Sequence, residues 1–390
     1  MANADVVAYN IAAFIATLFL LEFGADKFID HTAVVAYRIN IPETVIGLVT
    51  AGGEWEELAV VIASLASNRA SLAIGNIVGS AISNILGAFS LGLLFHDKHK
   101  PIHFDRSSRI YSLVLLVLTT FVAPITYFST RTIWLVCGSI LIVFFAIYIG
   151  SVGWAISKGT LTAPEDSESD GSSDDESSDG ESTTDIAERI PAGADRYEDE
   201  TSGPARVEPN EQTNPDASSI TLRPPGTSHR KRRTLRYHLF YLFLGFLAIC
   251  LAGYVLSHAA INIIDEFGIS DVLFGVVILA IATTLPEKFV AVMSGHRGHA
   301  GILVANTAGS NIFLLALCSG IVMLDTSGKF ERGNVSIPEL GVLWCSTLAF
   351  TVTVWFGGRF CRWIGFGMLI AYIAFIVLEF TVIHGVANGN

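Results

Sequence analysis

Ten stretches of this chain stay apolar over about the 20 residues a helix needs to cross a bilayer. They cover roughly 6–36, 44–66, 71–95, 109–128 and 132–156, then 236–262, 271–293, 299–324, 338–356 and 361–385. Hydrocarbon leaves a backbone two ways to satisfy its polar groups, a helix or a closed barrel, and runs of this length specify helices. The expected fold is an all-α polytopic membrane protein with ten transmembrane helices in two groups of five. Composition agrees, with 51% hydrophobic residues among 390, and it argues against a soluble domain.

The segment between the groups has the opposite character. It opens with APEDSESDGSSDDESSDGESTTD and closes with SHRKRRTLRYH, and Ala163 to Ser219 holds 18 of the 36 acidic residues but 3 of the 24 basic ones. The formal charge of −12 therefore belongs to this segment at −15, and the remainder carries +3. Low hydrophobicity and high charge predict a disordered linker, which cannot bury enough apolar area to offset the entropy of ordering. Its acids lack the D-x-D-x-D-G loop of a calcium-binding hand, so it reads as a solvated tail whose serines permit phosphorylation. The division is thus 1–156 for the first five-helix unit, 157–235 for the linker and 236–390 for the second unit. Arg230, Lys231, Arg232, Arg233 and Arg236 abut the sixth helix, which puts the linker in the cytoplasm and both termini on the luminal or extracellular side. The start, MANADVVAYN, has no positive region and predicts a retained helix. The five cysteines show no CxxC spacing, and neither a disulfide framework nor a metal cage is expected.

The two groups are copies. INIPETVIGLVTAGGEWEELAVVIASLASNRASLAIGNIVGSAISNILGAFSLG in the first matches FGISDVLFGVVILAIATTLPEKFVAVMSGHRGHAGILVANTAGSNIFLLALCSG in the second, and both Glu57 to Asn76 and Glu287 to Asn306 span 19 residues. Five helices per half force opposite orientations. Two inverted five-helix repeats joined by a linker are the pattern of a secondary transporter with its ion site near mid-membrane.

The polar residues of the copies predict that site. In ATTLPEK, Pro286 breaks the helix before Glu287, so Thr283, Thr284 and Glu287 present oxygens within one turn. Asn306 and Ser310 share a face of the next helix. The first copy supplies Glu54, Glu57, Asn76, Ser80 and Asn84. Every candidate donates oxygen, which suits a hard cation such as calcium, and a carboxylate at mid-membrane costs at least ~2.5–3.5 kcal/mol, which argues against decoration. Glu56 points about 100° from Glu57 and reads as a bystander with Trp55. Lys288 is expected to turn away from Glu287 and snorkel to the interface. Glu22, Asp26, Lys27 and Asp30 are expected to pair along the first helix, Gly75 and Gly79 to pack helices, and His31, His258 and His384 to serve packing.

Both segments resemble the alpha repeats of the calcium/cation antiporter superfamily, especially its sodium/calcium exchanger branch, whose motif looks like G-T-S-L-P-E followed by G-N-x-x-G-S-N-I-F-N. The second copy matches at Thr283, Thr284, Leu285, Pro286 and Glu287, then Asn306, Gly309, Ser310, Asn311, Ile312 and Phe313. The first matches at Glu57, Gly75, Asn76, Gly79, Ser80, Ile82 and Asn84. The resemblance implies two interlocked inverted repeats that exchange calcium for sodium or protons. Departures cluster in the first copy, where Gly53, Glu54 and Glu56 replace Thr, Ser and Pro, and Ala81 and Ser83 replace Asn and Phe. In the second, Leu314 replaces an acidic or amide residue.

The expected function is cation antiport by alternating access, with Glu57 and Glu287 neutralising Ca²⁺ and Glu54 protonated while Ca²⁺ is bound. Alternatives are antiport of Mn²⁺, K⁺ or Na⁺ on the same fold, or a transport-deficient regulatory relative. No Ser-His-Asp order, zinc motif or phosphate loop points to an enzyme. The expected partners are inorganic cations and the lipid bilayer, with no cofactor and no nucleic acid.

Overall fold

The computed structural model describes residues 4–38, 54–96, 102–128, 130–157, 235–326, 335–358 and 360–383. The expected linker and most of the lead into the first repeat lie outside them. The described helices fall within one compact unit, built from Met1–Ser172 together with Leu235–Asn390.

Eleven helical segments follow in order: α1 (Ala4–Arg38), α2 (Trp55–Ala66), α3 (Ala70–Phe95), α4 (Arg106–Tyr127), α5 (Arg131–Ser157), α6 (Leu235–Phe267), α7 (Asp271–Thr283), α8 (Leu285–Arg297), α9 (Ala300–Thr326), α10 (Ile337–Phe356) and α11 (Cys361–Ile383). Among the described residues, eight helices are long and apolar enough to cross a membrane, and α7 with α8 makes a ninth span, bent by 49°. The tenth expected span, 44–66, is described only from Glu54 onward.

The central helices of the two halves start in the same register. α3 begins at Ala70 and turns π-helical at Ser83, and α9 begins at Ala300 and does so at Phe313, the offset that separates Glu57 from Glu287. The tight turns before these helices also correspond. Gly298 takes a left-handed φ of 80° and its counterpart Asn68 one of 56°, and both types tolerate this region. His299 N–H donates to the Ser294 carbonyl at 2.8 Å and Arg69 N–H to that of Ser64 at 2.9 Å, closing the preceding helices alike.

The centre is formed by α3 and α9, 89% and 78% buried, while α1, α5, α6 and α11 are 17–28% buried and form the lipid-facing rim. α1 lies along α6, and α3 crosses α7 so closely that a Cβ on Gly79 would meet the Val276 backbone. Gly75 and Gly79 therefore pack helices, as small residues four apart do. Outside the spans, Asp105 caps α4, accepting from Ser108 N–H at 2.9 Å. Burial pushes the Asp105 carboxyl up, but bonds from Ser108 and Ser107 outweigh this and hold it below its ordinary range.

Candidate cation site

Two helix starts set the geometry. The α7–α8 break falls at Thr284, with Pro286 in the first turn of α8, and puts Glu287 in that turn. In the first half Glu54 stands just before α2, which puts Glu57 in its first turn. Aligned backbone dipoles favour negative charge at a helix start, which offsets part of the cost of burying these acids. Glu57 is 0% exposed, Glu54 4% and Glu287 9%.

Glu57 is the better coordinated of the three. Ser80 Oγ donates to its Oε1 at 2.8 Å and Thr283 Oγ1 to the same atom at 2.6 Å, while Asn76 Nδ2 donates to Oε2. Its donors come from α3 and from α7, so one carboxylate ties both halves together. Glu54 and Glu287 form a second cluster, with Ser310 and the Glu287 carboxyl within hydrogen-bonding reach of Glu54.

Four buried oxygens around these carboxylates have no hydrogen-bond partner: Glu54 Oε2, Glu287 Oε2, Asn76 Oδ1 and Asn84 Oδ1. An unsatisfied buried acceptor costs roughly 1–3 kcal/mol, so four such acceptors gathered around buried carboxylates constitute a demand for positive charge. All are hard oxygen donors, as calcium or sodium requires. Among the described residues, no three His, Cys, Asp or Glu converge closely enough to hold a metal alone. The carboxylates are instead interleaved with amide and hydroxyl oxygens.

The predicted residues divide accordingly. Glu57, Asn76, Ser80 and Thr283 come together, as do Glu54, Glu287 and Ser310. Asn84 is buried beside them, its Nδ2 donating to Asn311 Oδ1 at 3.3 Å while Asn311 Nδ2 donates to the Ala81 carbonyl at 3.2 Å. Asn311 thereby orients the Asn84 amide so that its oxygen stays free. Asn306 is half-buried and makes no bond to Glu287 among the described residues, unlike Asn76 with Glu57. Thr284 joins a different cluster, in which its Oγ1 lies 2.9 Å from Ser83 Oγ and accepts from Lys288 Nζ at 2.5 Å.

Several other expectations are corrected. Lys288 does not snorkel outward: it turns in to Ser83 and Thr284 because these oxygens satisfy the ammonium locally. Trp55 packs edge-on against Phe28 of α1 and Phe313 of α9, with centroids 5.4 and 5.9 Å away. In the ladder of α1, Lys27 lies 3.9 Å from Asp30. Glu22 instead lies close enough to Asp26 and Glu54 for like-charge repulsion. His31 serves packing, as expected, with its Nδ1 3.1 Å from that of His238, and joins α1 to α6. His258 packs on Tyr254, and His384 lies outside the described residues. The sequence reading missed Asn311, Ser83 and Tyr372. For Ser83 the signal was its replacement of an aromatic residue in the middle of a repeat motif.

Paired repeats of apolar helices with a buried oxygen site shared between them define a membrane transport protein for cations. The chain belongs to the family described as sodium/calcium exchanger protein, whose model matches residues 9–154 and 237–381. CaxA of Alkalimonas amylolytica is 24% identical over 335 residues, 85% of each chain. The sodium/calcium exchanger MaX1 of Methanosarcina acetivorans is 28% identical over 148 residues, 36% of this chain and 40% of its own length. A solved structure of the sodium-calcium exchanger NCX_Mj matches 95% of this chain and 99% of its own, with a TM-score of 0.53 and 21% identity, and so shares the fold.

Proposed function

We propose that the chain is a secondary antiporter that moves calcium against sodium or protons by alternating access. The observation that carries this is the set of four buried, unbonded oxygens around Glu54, Glu57 and Glu287 at the contact of the two halves. Membership of the exchanger family supports cation antiport, and the name of MaX1 supports the calcium assignment.

The coupling follows from charge. With a divalent ion bound, the carboxylates are compensated. Once it leaves, buried negative charge cannot be carried through the low-dielectric centre until monovalent cations or protons replace it. In this reading Glu57, Asn76, Ser80 and Thr283 bind at one end of the site and Glu54, Glu287, Ser310 and Asn84 at the other. Asn306 and Thr284 are supporting positions. The linker faces the cytoplasm, on the side of the basic run at Arg230–Arg233.

The test is calcium uptake into proteoliposomes under an imposed sodium gradient and, separately, an imposed pH gradient. Uptake under one gradient identifies the counter-ion. Uptake under neither, with the protein folded, refutes calcium antiport. Competition with Mn²⁺ and K⁺ in the same vesicles tests the altered first motif as a change in cation choice.

A further inference from the structure

The buried cluster next to the carboxylates contains a cation supplied by the chain itself. Lys288 Nζ donates to Ser83 Oγ at 2.9 Å, to the Thr284 carbonyl at 3.0 Å and to Thr284 Oγ1 at 2.5 Å. An ammonium has three donors and no acceptor, and here it has three oxygens. Tyr372 OH donates to Ser83 Oγ at 2.9 Å, and Thr284 Oγ1 donates to the Ala280 carbonyl at 2.5 Å, so the hydroxyls around it are themselves fixed. The carbonyl at its centre belongs to Thr284, at the break between α7 and α8. Two hydroxyls and a freed carbonyl are the oxygens a small monovalent cation would take. Glu287, Glu57 and Glu54 are the carboxylates that act on this ammonium.

Comparison of the halves shows what this does to the charge. At the offset relating Glu57 to Glu287, Thr284 corresponds to Glu54, Lys288 to Leu58 and Ser83 to Phe313. One half has thus gained a carboxylate and the other an ammonium, and Ser83, needed to hold the ammonium, stands where the other half keeps an aromatic ring. The ammonium of Lys288 therefore cancels one unit of the negative charge that these buried carboxylates present to a divalent ion.

We propose that Lys288 is a resident monovalent cation that offsets one of the buried carboxylates, so the site takes one fewer mobile monovalent ion per divalent ion than its carboxylates alone require. Lys288 then supplies the positive charge that the sequence reading assigned to a proton on Glu54. This rests on the antiport reading and deepens it.

The test uses the reconstituted full chain with Lys288→Met and Lys288→Arg. The counter-ion to calcium ratio is read from the membrane potential at which net calcium flux vanishes. Lys288→Met should require one more monovalent ion per calcium, and Lys288→Arg should keep the wild-type ratio. An unchanged ratio in Lys288→Met overturns the proposal. Where that variant carries no flux, purified Lys288→Ala is melted without calcium while sodium concentration and pH are varied. Linkage makes the dependence of stability on log ion concentration count the ions bound. One of the two slopes should rise by one ion over wild type, and identical slopes overturn the proposal. Absence of calcium flux in the wild type would refute the antiport reading alone, and the melting slopes would still judge Lys288.

Discussion

Substituting Gly79 with alanine tests whether the α3–α7 contact sets the ion site. Gly79 lies between Asn76 and Ser80 on α3, and an added Cβ would stand 2.5 Å from the Val276 Cα and 2.7 Å from its carbonyl carbon on α7. These are backbone atoms that no rotamer change can clear. Ordinary contact begins near 3.4 Å, so the helices must part by about 1 Å locally. Glu57 Oε1 accepts from Ser80 on one helix at 2.8 Å and from Thr283 on the other at 2.6 Å, so the shift takes one of these bonds out of range. Losing a bond to a charged group costs about 1.5–3 kcal/mol, and overpacking adds about 1–3 kcal/mol to the loss of stability. Divalent affinity should fall roughly 10- to 100-fold. The assay is calcium-dependent melting of the purified protein, with Gly150→Ala as control, because a Cβ there meets nothing within 4 Å. Gly79→Ala with wild-type melting and wild-type calcium affinity would refute the idea that this contact holds the site.

Three further outcomes are expected. Glu57→Gln keeps the shape but removes the charge and sets an amide donor against the Asn76, Ser80 or Thr283 donors, so calcium uptake should drop at least about 30-fold, in line with losses of 2–5 kcal/mol for broken buried charge pairs; wild-type uptake would contradict this. Arg69 bonds Asp271 at 2.9 Å and Asp265 at 2.7 Å and joins the α2–α3 turn to the second half. Asp271 is 1% exposed, so Arg69→Gln should destabilise the fold by about 3 kcal/mol, read as a lowered melting temperature. Asp105→Ala removes the α4 cap at a cost of about 1 kcal/mol near neutral pH. Because the folded carboxyl is held low, that contribution is complete above the unfolded value of about 3.9. It fades as pH falls through the folded value, so wild type and variant should converge in acid.

The spans, the break just before Glu287 and the matching positions of Glu57 and Glu287 in the two copies were legible because each depends on local information: run length, a missing N–H and a spacing. What was not legible depends on which helix lies opposite. Helical geometry correctly turned Lys288 about 100° from Glu287, yet that direction leads to Ser83 in the other half, 205 residues away, and not to lipid. Thr283 and Thr284 looked equivalent in sequence. One donates to Glu57 and the other belongs to the ammonium nest, a difference set by the α3 residues that each faces. Asn306 looked like the twin of Asn76, but the second half has a carboxylate from Glu54 beside Glu287 and, among the described residues, no amide bond in that place.

These differences make the halves unequal at an otherwise matched scaffold. Glu57 is saturated with three donors, whereas Glu54 and Glu287 each keep a buried oxygen without a partner. A cation therefore gains most at the Glu54–Glu287 end, where each carboxylate offers an oxygen without a partner, and less at Glu57, where it must displace hydroxyl and amide donors. Glu22 on α1 lies within electrostatic range of that undersupplied end and extends its negative potential outward. The matched helix starts position the carboxylates, and the unmatched residues, Glu54, Lys288, Ser83 and Asn84, decide how many charges the site must take up before it is neutral. Changes in ion choice within such a scaffold are thus expected at these four positions before they are expected at Glu57 or Glu287.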